Sequence, residues 1–281
     1  MIDIIFDTLI DVLKIFPFIF FAFVLIEIFE HSFNKRRKTI MEKTKKIGPL
    51  IGSGLGLVPQ CGFSVFATEL CITRIISLGT LISIYLTTSD EMLIVMLSEK
   101  VDINIIIKIL FIKFIVGLIC GLIIDIIINK KTKKDNRINC SICDDEKCHC
   151  DSDGIFIAAL KHTFKIIIII ALVTFIINVL LEYKGNEFIS KLFLKDNLLG
   201  PFISSIVGLI PSCGSSVILT ELYIENAISF SSMIAGLLTN SGVALIVLFK
   251  SNKDIKDNIK IVSLLYFIGV ITGIIIHIIG I

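Results

Sequence analysis

The sequence predicts an all-α, polytopic helical membrane protein with two homologous halves, its helices broken by proline or folded back as re-entrant hairpins. Three observations predict it. Apolar residues dominate, with 55% of 281 residues hydrophobic and a mean hydropathy of +0.93, and they fall in long runs rather than at the amphipathic spacing of a soluble domain. The runs at 4–29, 103–128, 155–181 and 259–281 are each long enough to cross a hydrocarbon core of ~30 Å at ~1.5 Å per residue. Residues 48–98 also align without a gap on residues 200–250 at a constant offset of 152 (Gly48 onto Gly200), with 24 identities in 51 positions. The short alternating segments of a membrane barrel are absent.

Eight apolar segments follow in order, four per half: 4–29, 48–72, 75–98 and 103–128, then 156–182, 198–222, 227–250 and 259–281. They divide the chain into an N-terminal half (1–128), a charged loop (129–154) and a C-terminal half (155–281). The first segment carries Asp3, Asp7, Asp11 and Lys14, which reads as an interfacial stripe; these acids argue against a signal peptide. Lys35, Arg36, Arg37, Lys38, Lys43, Lys45 and Lys46 then form a basic loop with Glu42 as its one acid, cytoplasmic by the positive-inside rule. The second segment is interrupted by Gly56-Leu57-Val58-Pro59-Gln60-Cys61-Gly62-Phe63-Ser64, and the sixth by Gly208-Leu209-Ile210-Pro211-Ser212-Cys213-Gly214-Ser215-Ser216. Proline removes a helical hydrogen bond and glycine loosens the backbone, so Pro59 with Gly62 and Pro211 with Gly214 mark breaks or hairpin tips. Further breaks are expected at Thr87-Thr88-Ser89-Asp90-Glu91 and at Thr239-Asn240-Ser241-Gly242. Lys108 and Lys113 in the fourth segment read as snorkelling side chains or as cations that neutralise a carboxylate, and His277 in the eighth as packed. An even number of crossings per half makes the repeats parallel and an odd number makes them inverted. The odd count puts the basic loop and the 129–154 loop on one face, and inverted repeats are common in secondary transporters.

Four constellations carry chemistry. Cys61, Ser64 and Thr68, with their copies Cys213, Ser216 and Thr220, lie three and seven residues apart on one helix face. Thiolate is a soft ligand for Zn(II), Cu(I), Cd(II) or trivalent arsenic, whereas hydroxyls suit harder ions; small polar residues at this spacing also pack helices together. Thr88, Asp90 and Glu91 place two carboxylates inside an apolar stretch, which is costly unless functional, while the second half has Asn240, Gly242 and Val243 there. Glu69 and Glu221 recur near segment ends as candidate caps. Cys140, Cys143, Cys148, His149 and Cys150 cluster in the polar loop, a metal-gathering composition whose spacing matches no zinc ribbon or finger. Cys71 and Cys120 read as apolar filler.

At Gly-Leu-Val-Pro-Gln-Cys-Gly-Phe-Ser (56–64), Thr-Ser-Asp-Glu-Met-Leu (88–93) and Gly-Leu-Ile-Pro-Ser-Cys (208–213) the chain resembles a bacterial permease family described as ten-transmembrane heavy-metal exporters, also labelled arsenic efflux proteins or manganese transporters. The resemblance runs over nearly the whole chain and implies ten crossings, five per half, and therefore inverted repeats. The expected function is a secondary exporter in the bacterial inner membrane. It moves a heavy-metal or metalloid ion (arsenite-like, thiophilic or manganese) by alternating access, with a proton as candidate counter-ion. No phosphate-cradling loop is present, no cofactor is expected, and the chain reads as no enzyme. The basic residues lack interleaved aromatics, so no nucleic acid is expected as partner; the lipid bilayer is. Two other classes stay open: a channel or permease for an uncharged or organic solute, and a membrane thiol relay using Cys61 and Cys213.

Overall fold

The computed structural model describes residues 37–58, 61–73, 75–89, 91–132, 199–212, 214–252 and 254–280, with scattered positions at 16–24 and 160–175. The expected segments at 4–29 and 156–182 therefore lie largely outside the described residues, as does most of the 129–154 loop. What is described is helical, with no strand among the described residues. The first half contributes α1 (Arg37–Gly56), α2 (Cys61–Ile72), α3 (Leu78–Thr87), α4 (Met92–Ser98) and α5 (Ile103–Thr132). The second contributes α6 (Gly200–Gly208), α7 (Gly214–Ile224), α8 (Phe230–Thr239), α9 (Ala244–Ser251) and α10 (Ile255–Ile279).

The duplication reaches further than the aligned segment. α3 and α8, α4 and α9, and α5 and α10 each begin at the same offset of 152 residues (Leu78 to Phe230, Met92 to Ala244, Ile103 to Ile255). The caps repeat as well. Ser77 (φ −79°, ψ 161°) and Ser229 (φ −77°, ψ 159°) open α3 and α8, each accepting an N–H three residues on with its hydroxyl. Asp102 and Asp254 accept from Asn104 N (3.1 Å) and Lys256 N (3.1 Å) at the starts of α5 and α10.

Both expected breaks are present in each half. α3 ends at Thr87 and α4 begins at Met92, α8 ends at Thr239 and α9 begins at Ala244, and α1 and α6 end at Gly56 and Gly208 before the non-helical residues 57–58 and 209–212. The basic stretch read as a loop is in part helix, because α1 begins at Arg37; Lys, Arg, Glu and Met are good helix formers.

Glycine contacts give the chain directions. A Cβ at Gly48 would collide with Thr80 Oγ1, and one at Gly56 with Thr87 Oγ1, so α1 and α3 run side by side in the same direction. A Cβ at Gly117 would collide with Thr87 Cγ2 and one at Gly121 would meet Gly79 O at 2.7 Å, so α5 runs back. α1 thus ends level with the end of α3, while α3 starts level with Gly48. The intervening α2 must return to its own side, and its 12 residues (~18 Å at ~1.5 Å per residue) cover that height. α1 and α2 form a hairpin, with Leu57 and Val58 turning the chain after α1. The second half repeats this arrangement: Gly200 meets Ser232, Gly208 meets Thr239, Gly269 meets Thr239 and Gly273 meets Ser231.

Among the described residues four segments are long and apolar enough to cross a bilayer: Leu78–Ser98, Ile103–Ile128, Phe230–Ser251 and Ile255–Ile279. The two broken ones are 71% and 89% buried, against 22% and 33% for the two unbroken ones. The broken spans form the centre and α5 and α10 the outside. Across the halves α2 packs on α9, α7 on α4 and α3 on α8. This reciprocity is that of a pseudo-two-fold axis.

Side chains at the glycine contacts should be tolerated according to what they meet. Gly208→Ala would drive a methyl into Gly236 O and is expected to cost about 1–3 kcal/mol. Gly54→Ala meets nothing within 4 Å and is expected to be neutral or stabilising by up to about 1 kcal/mol. Thermal unfolding of the detergent-purified chain, followed by size exclusion, measures both.

Candidate functional site

The four breaks lie together. Gly56 and Thr87 bring the end of α1 level with the α3–α4 break, Gly208 and Thr239 do the same for α6 in the second half, and Ser64 Oγ reaches across to Ser241 O at 3.5 Å. The result is a buried polar centre built from helix ends.

In the first half Thr87 Oγ1 donates to Ser83 O (2.8 Å), Thr88 Oγ1 to Ile84 O (2.7 Å) and Ser89 Oγ to Thr87 O (3.1 Å). Ser89 thus reaches a carbonyl that the interrupted helix leaves open, while Thr87 and Thr88 bond back onto carbonyls of the last turn. Lys113, on α5, is 1% exposed, and its ammonium donates to Thr88 O. The snorkelling expected of this lysine is therefore replaced by burial at the break. Lys108 is exposed and lies 5.3 Å from the Phe230 ring centroid, a cation–π contact between halves. Glu91 stands half-buried at the start of α4 with no side-chain cap bond.

In the second half Asn240 Oδ1 accepts from Gly242 N (3.0 Å) and is approached by Ser215 Oγ (3.4 Å). Gly242 has φ +56°, a left-handed conformation that glycine adopts without strain. Ser212 Oγ accepts from Gly214 N (3.1 Å), and Ser215 Oγ donates to Ser212 O (2.7 Å). Among the described residues three buried hydroxyls have no partner, those of Ser204, Ser205 and Ser241. Only Ser241 stands at a break.

Of the residues singled out from sequence, Ser64, Thr68, Thr88, Ser216, Thr220, Asn240 and Gly62 are buried, and Pro211, Gly214 and Glu91 half-buried. Ser64 and Asn240 meet partners at the breaks. Thr68 does not stay available: its hydroxyl donates to Ser64 O (2.7 Å) and pairs with Tyr85 OH at 2.5 Å. Thr220 donates to Ser216 O (2.7 Å) in the same way. Cys61 opens α2, and its side chain lies outside the described residues, as do Pro59, Asp90, Cys213 and the loop residues Cys140, Cys143, Cys148, His149 and Cys150. Among the described residues no group of three or more His, Cys, Asp or Glu is placed to hold a metal.

The glutamates differ. Glu69 is 5% exposed and accepts from Ser251 Oγ at 2.7 Å, joining α2 to α9. Glu221 is exposed, and the residue equivalent to Ser251 on its side is another exposed carboxylate, Glu99. Reading the sequence missed Tyr85, Ser215 and Ser241, and also Asp125, which accepts from Ser77 Oγ (2.6 Å) and Gly79 N (2.9 Å) at the start of α3. The available signal was departure from the repeat: Tyr85 is mirrored by Leu237 and Asp125 by His277, just as Lys113 is by Leu265.

A family model described as "Putative, 10TM heavy-metal exporter" matches residues 1–183 and 151–280. No curated protein and no solved structure matches the chain. The chain belongs to that heavy-metal exporter family.

The tie between halves at Glu69 is testable by its mirror. Ser251→Ala removes the hydroxyl that donates to Glu69 and is expected to cost about 1–3 kcal/mol of stability. Glu99→Ala, at the equivalent exposed position, is expected to change it by less than about 0.5 kcal/mol. Apparent melting temperatures of the purified variants compare the two.

Proposed function

We propose that this member of the heavy-metal exporter family is a secondary transporter that carries a metal or metalloid ion out of the bacterial cytoplasm by alternating access. The observation that carries the reading is the meeting of helix ends at one depth, where Ser64, Thr88, Ser89, Asn240 and Ser241 are buried and the Ser241 hydroxyl lacks a partner. Broken helices meeting at the repeat interface are how transporters build a site near the bilayer midplane, and a buried polar atom without a partner is costly unless a ligand or water completes it.

In this reading Cys61 and Cys213 supply soft ligands. Ser64, Asn240 and Ser241 supply neutral oxygens, and Asp90 and Glu91 supply charge or carry protons in exchange. Thr68, Ser216 and Thr220 support the helix ends from behind, since Thr68 and Thr220 already bond their own helices. The halves are inverted in the membrane. The N-terminal segment, α3–α4 and α5 cross once each, and the hairpin returns to its own side, so each half crosses an odd number of times. Counting both hairpin arms as crossings leaves the parity odd and yields five helical segments per half, in keeping with the family's ten. The basic residues before Ile47 and the 129–154 loop then share the cytoplasmic face, which the contact of Asp125 with Ser77 supports by bringing the end of α5 beside the start of α3. The loop cysteines and His149 would gather metal on that face.

The test is metal accumulation in a sensitive bacterial host. Expression is expected to lower cellular Cd²⁺, arsenite or Mn²⁺. Cys61→Ser with Cys213→Ser is expected to abolish the effect for the thiophilic species, by tenfold or more in transport rate, and Glu91→Gln to weaken it for the cations. An exporter unchanged by the double cysteine substitution would remove the thiols from the pathway. Transport of an organic or uncharged solute, with no response to any of these ions, would favour a permease instead.

A further inference from the structure

We propose that Lys113 is the resident counter-cation of the transport site, a charge that weakens cation binding enough for the cargo to be released; this rests on the exporter reading above.

Lys113 is among the largest fully buried side chains of the protein. A lysine at bilayer depth is expensive and marks function by default. Its ammonium donates to the carbonyl of Thr88, the residue that ends α3, and Glu91 starts α4 three residues further on. Asp90 is the neighbour of Glu91 in sequence.

Position in the repeat separates a charge role from a packing role. The residues equivalent to Asp90, Glu91 and Lys113 are Gly242, Val243 and Leu265. Leu265 is fully buried in the core, so a helix equivalent to α5 packs against an equivalent break without any ammonium. All three charges occur together in one half and are absent together from the other. This is the pattern expected if the lysine is there because the carboxylates are. A carboxylate such as that of Glu91 in a low-dielectric interior would, with no cation beside it, hold a divalent ion tightly, and a pathway site must let its ion leave. A fixed positive charge at the break lowers that affinity and offsets part of the negative charge of the empty site.

The experiment is Cd²⁺ and Mn²⁺ binding by equilibrium dialysis on the purified full-length chain in nanodiscs, with efflux from proteoliposomes. Lys113→Gln keeps a donor for Thr88 O and loses the charge. It is expected to bind the ions at least about tenfold more tightly than the native chain and to transport them more slowly, whereas Lys113→Arg retains the weaker affinity. Equal or weaker binding by Lys113→Gln overturns the inference, because a residue that only fills the break would not tighten metal binding. Should Lys113→Gln not fold, the pair Lys113→Leu and Glu91→Val, which installs the second half's residues, decides. Recovery of folded yield relative to Lys113→Leu alone supports charge coupling, and no recovery overturns it. A native chain that exports arsenite but binds neither cation overturns the inference and leaves the exporter reading standing. A native chain that exports none of the three species overturns the exporter reading itself.

Discussion

A peptide group inside a bilayer has no water to turn to, and this protein interrupts its helices where that matters most. Each interruption frees carbonyls and amides that would cost several kcal/mol apiece if left bare. The molecule answers locally at three of these breaks. Thr87, Thr88 and Ser89 turn their hydroxyls onto nearby carbonyls, Lys113 reaches Thr88 O from α5, Asn240 receives Gly242 N, and Ser212 receives Gly214 N. The breaks must also be near one another, because a polar centre is less costly when its parts are shared; the approach of Ser64 to Ser241 O is where the halves share it.

Close helix packing makes this sharing possible. Lipid gives helices no hydrophobic reason to associate, so small residues and hydrogen bonds carry the contact. α3 is gripped on one side by Gly48, Gly52 and Gly56 of α1 and on the other by Gly117 and Gly121 of α5. Ser83 sits between them, its hydroxyl 2.8 Å from Pro49 O and 2.9 Å from Gly117 O. The grip fixes the depth of the hairpin tip against the α3 end, and thereby the height at which the polar residues of α2 are delivered. The packing motif and the candidate site are consequences of the same glycines.

Much of this is written plainly in the chain. The apolar runs announce membrane helices, the prolines and glycines mark where they stop, and the 152-residue register announces the duplication. Ser64, Thr88 and Asn240 stand out because they accompany those stops. Other features depend on distances that no local pattern encodes. Lys113 lies in an apolar run that suits a snorkelling side chain equally well, and only the packing of α5 on α3 turns it inward. Glu69 and Glu221 share a motif and differ in burial because what faces them differs, Ser251 for one and Glu99 for the other. Thr68 fits the same helical stripe as Cys61 and Ser64, yet its hydroxyl is taken by Tyr85, whose copy is Leu237.

The constant register has a use beyond architecture: the molecule carries its own reference experiment. From Gly48 through the part of α5 that α10 matches, each position described in both halves has a twin that sits in a closely related backbone but has drifted chemically on its own. Where the twins agree, as at Ser77 and Ser229 or at Gly117 and Gly269, their shared chemistry answers to the scaffold. Where they part, as at Asp125 and His277, the scaffold has been shown to accept either, and whatever distinguishes them belongs to the task each side performs. Swapping such twins between halves would move chemistry while leaving architecture in place, which few single-copy proteins allow.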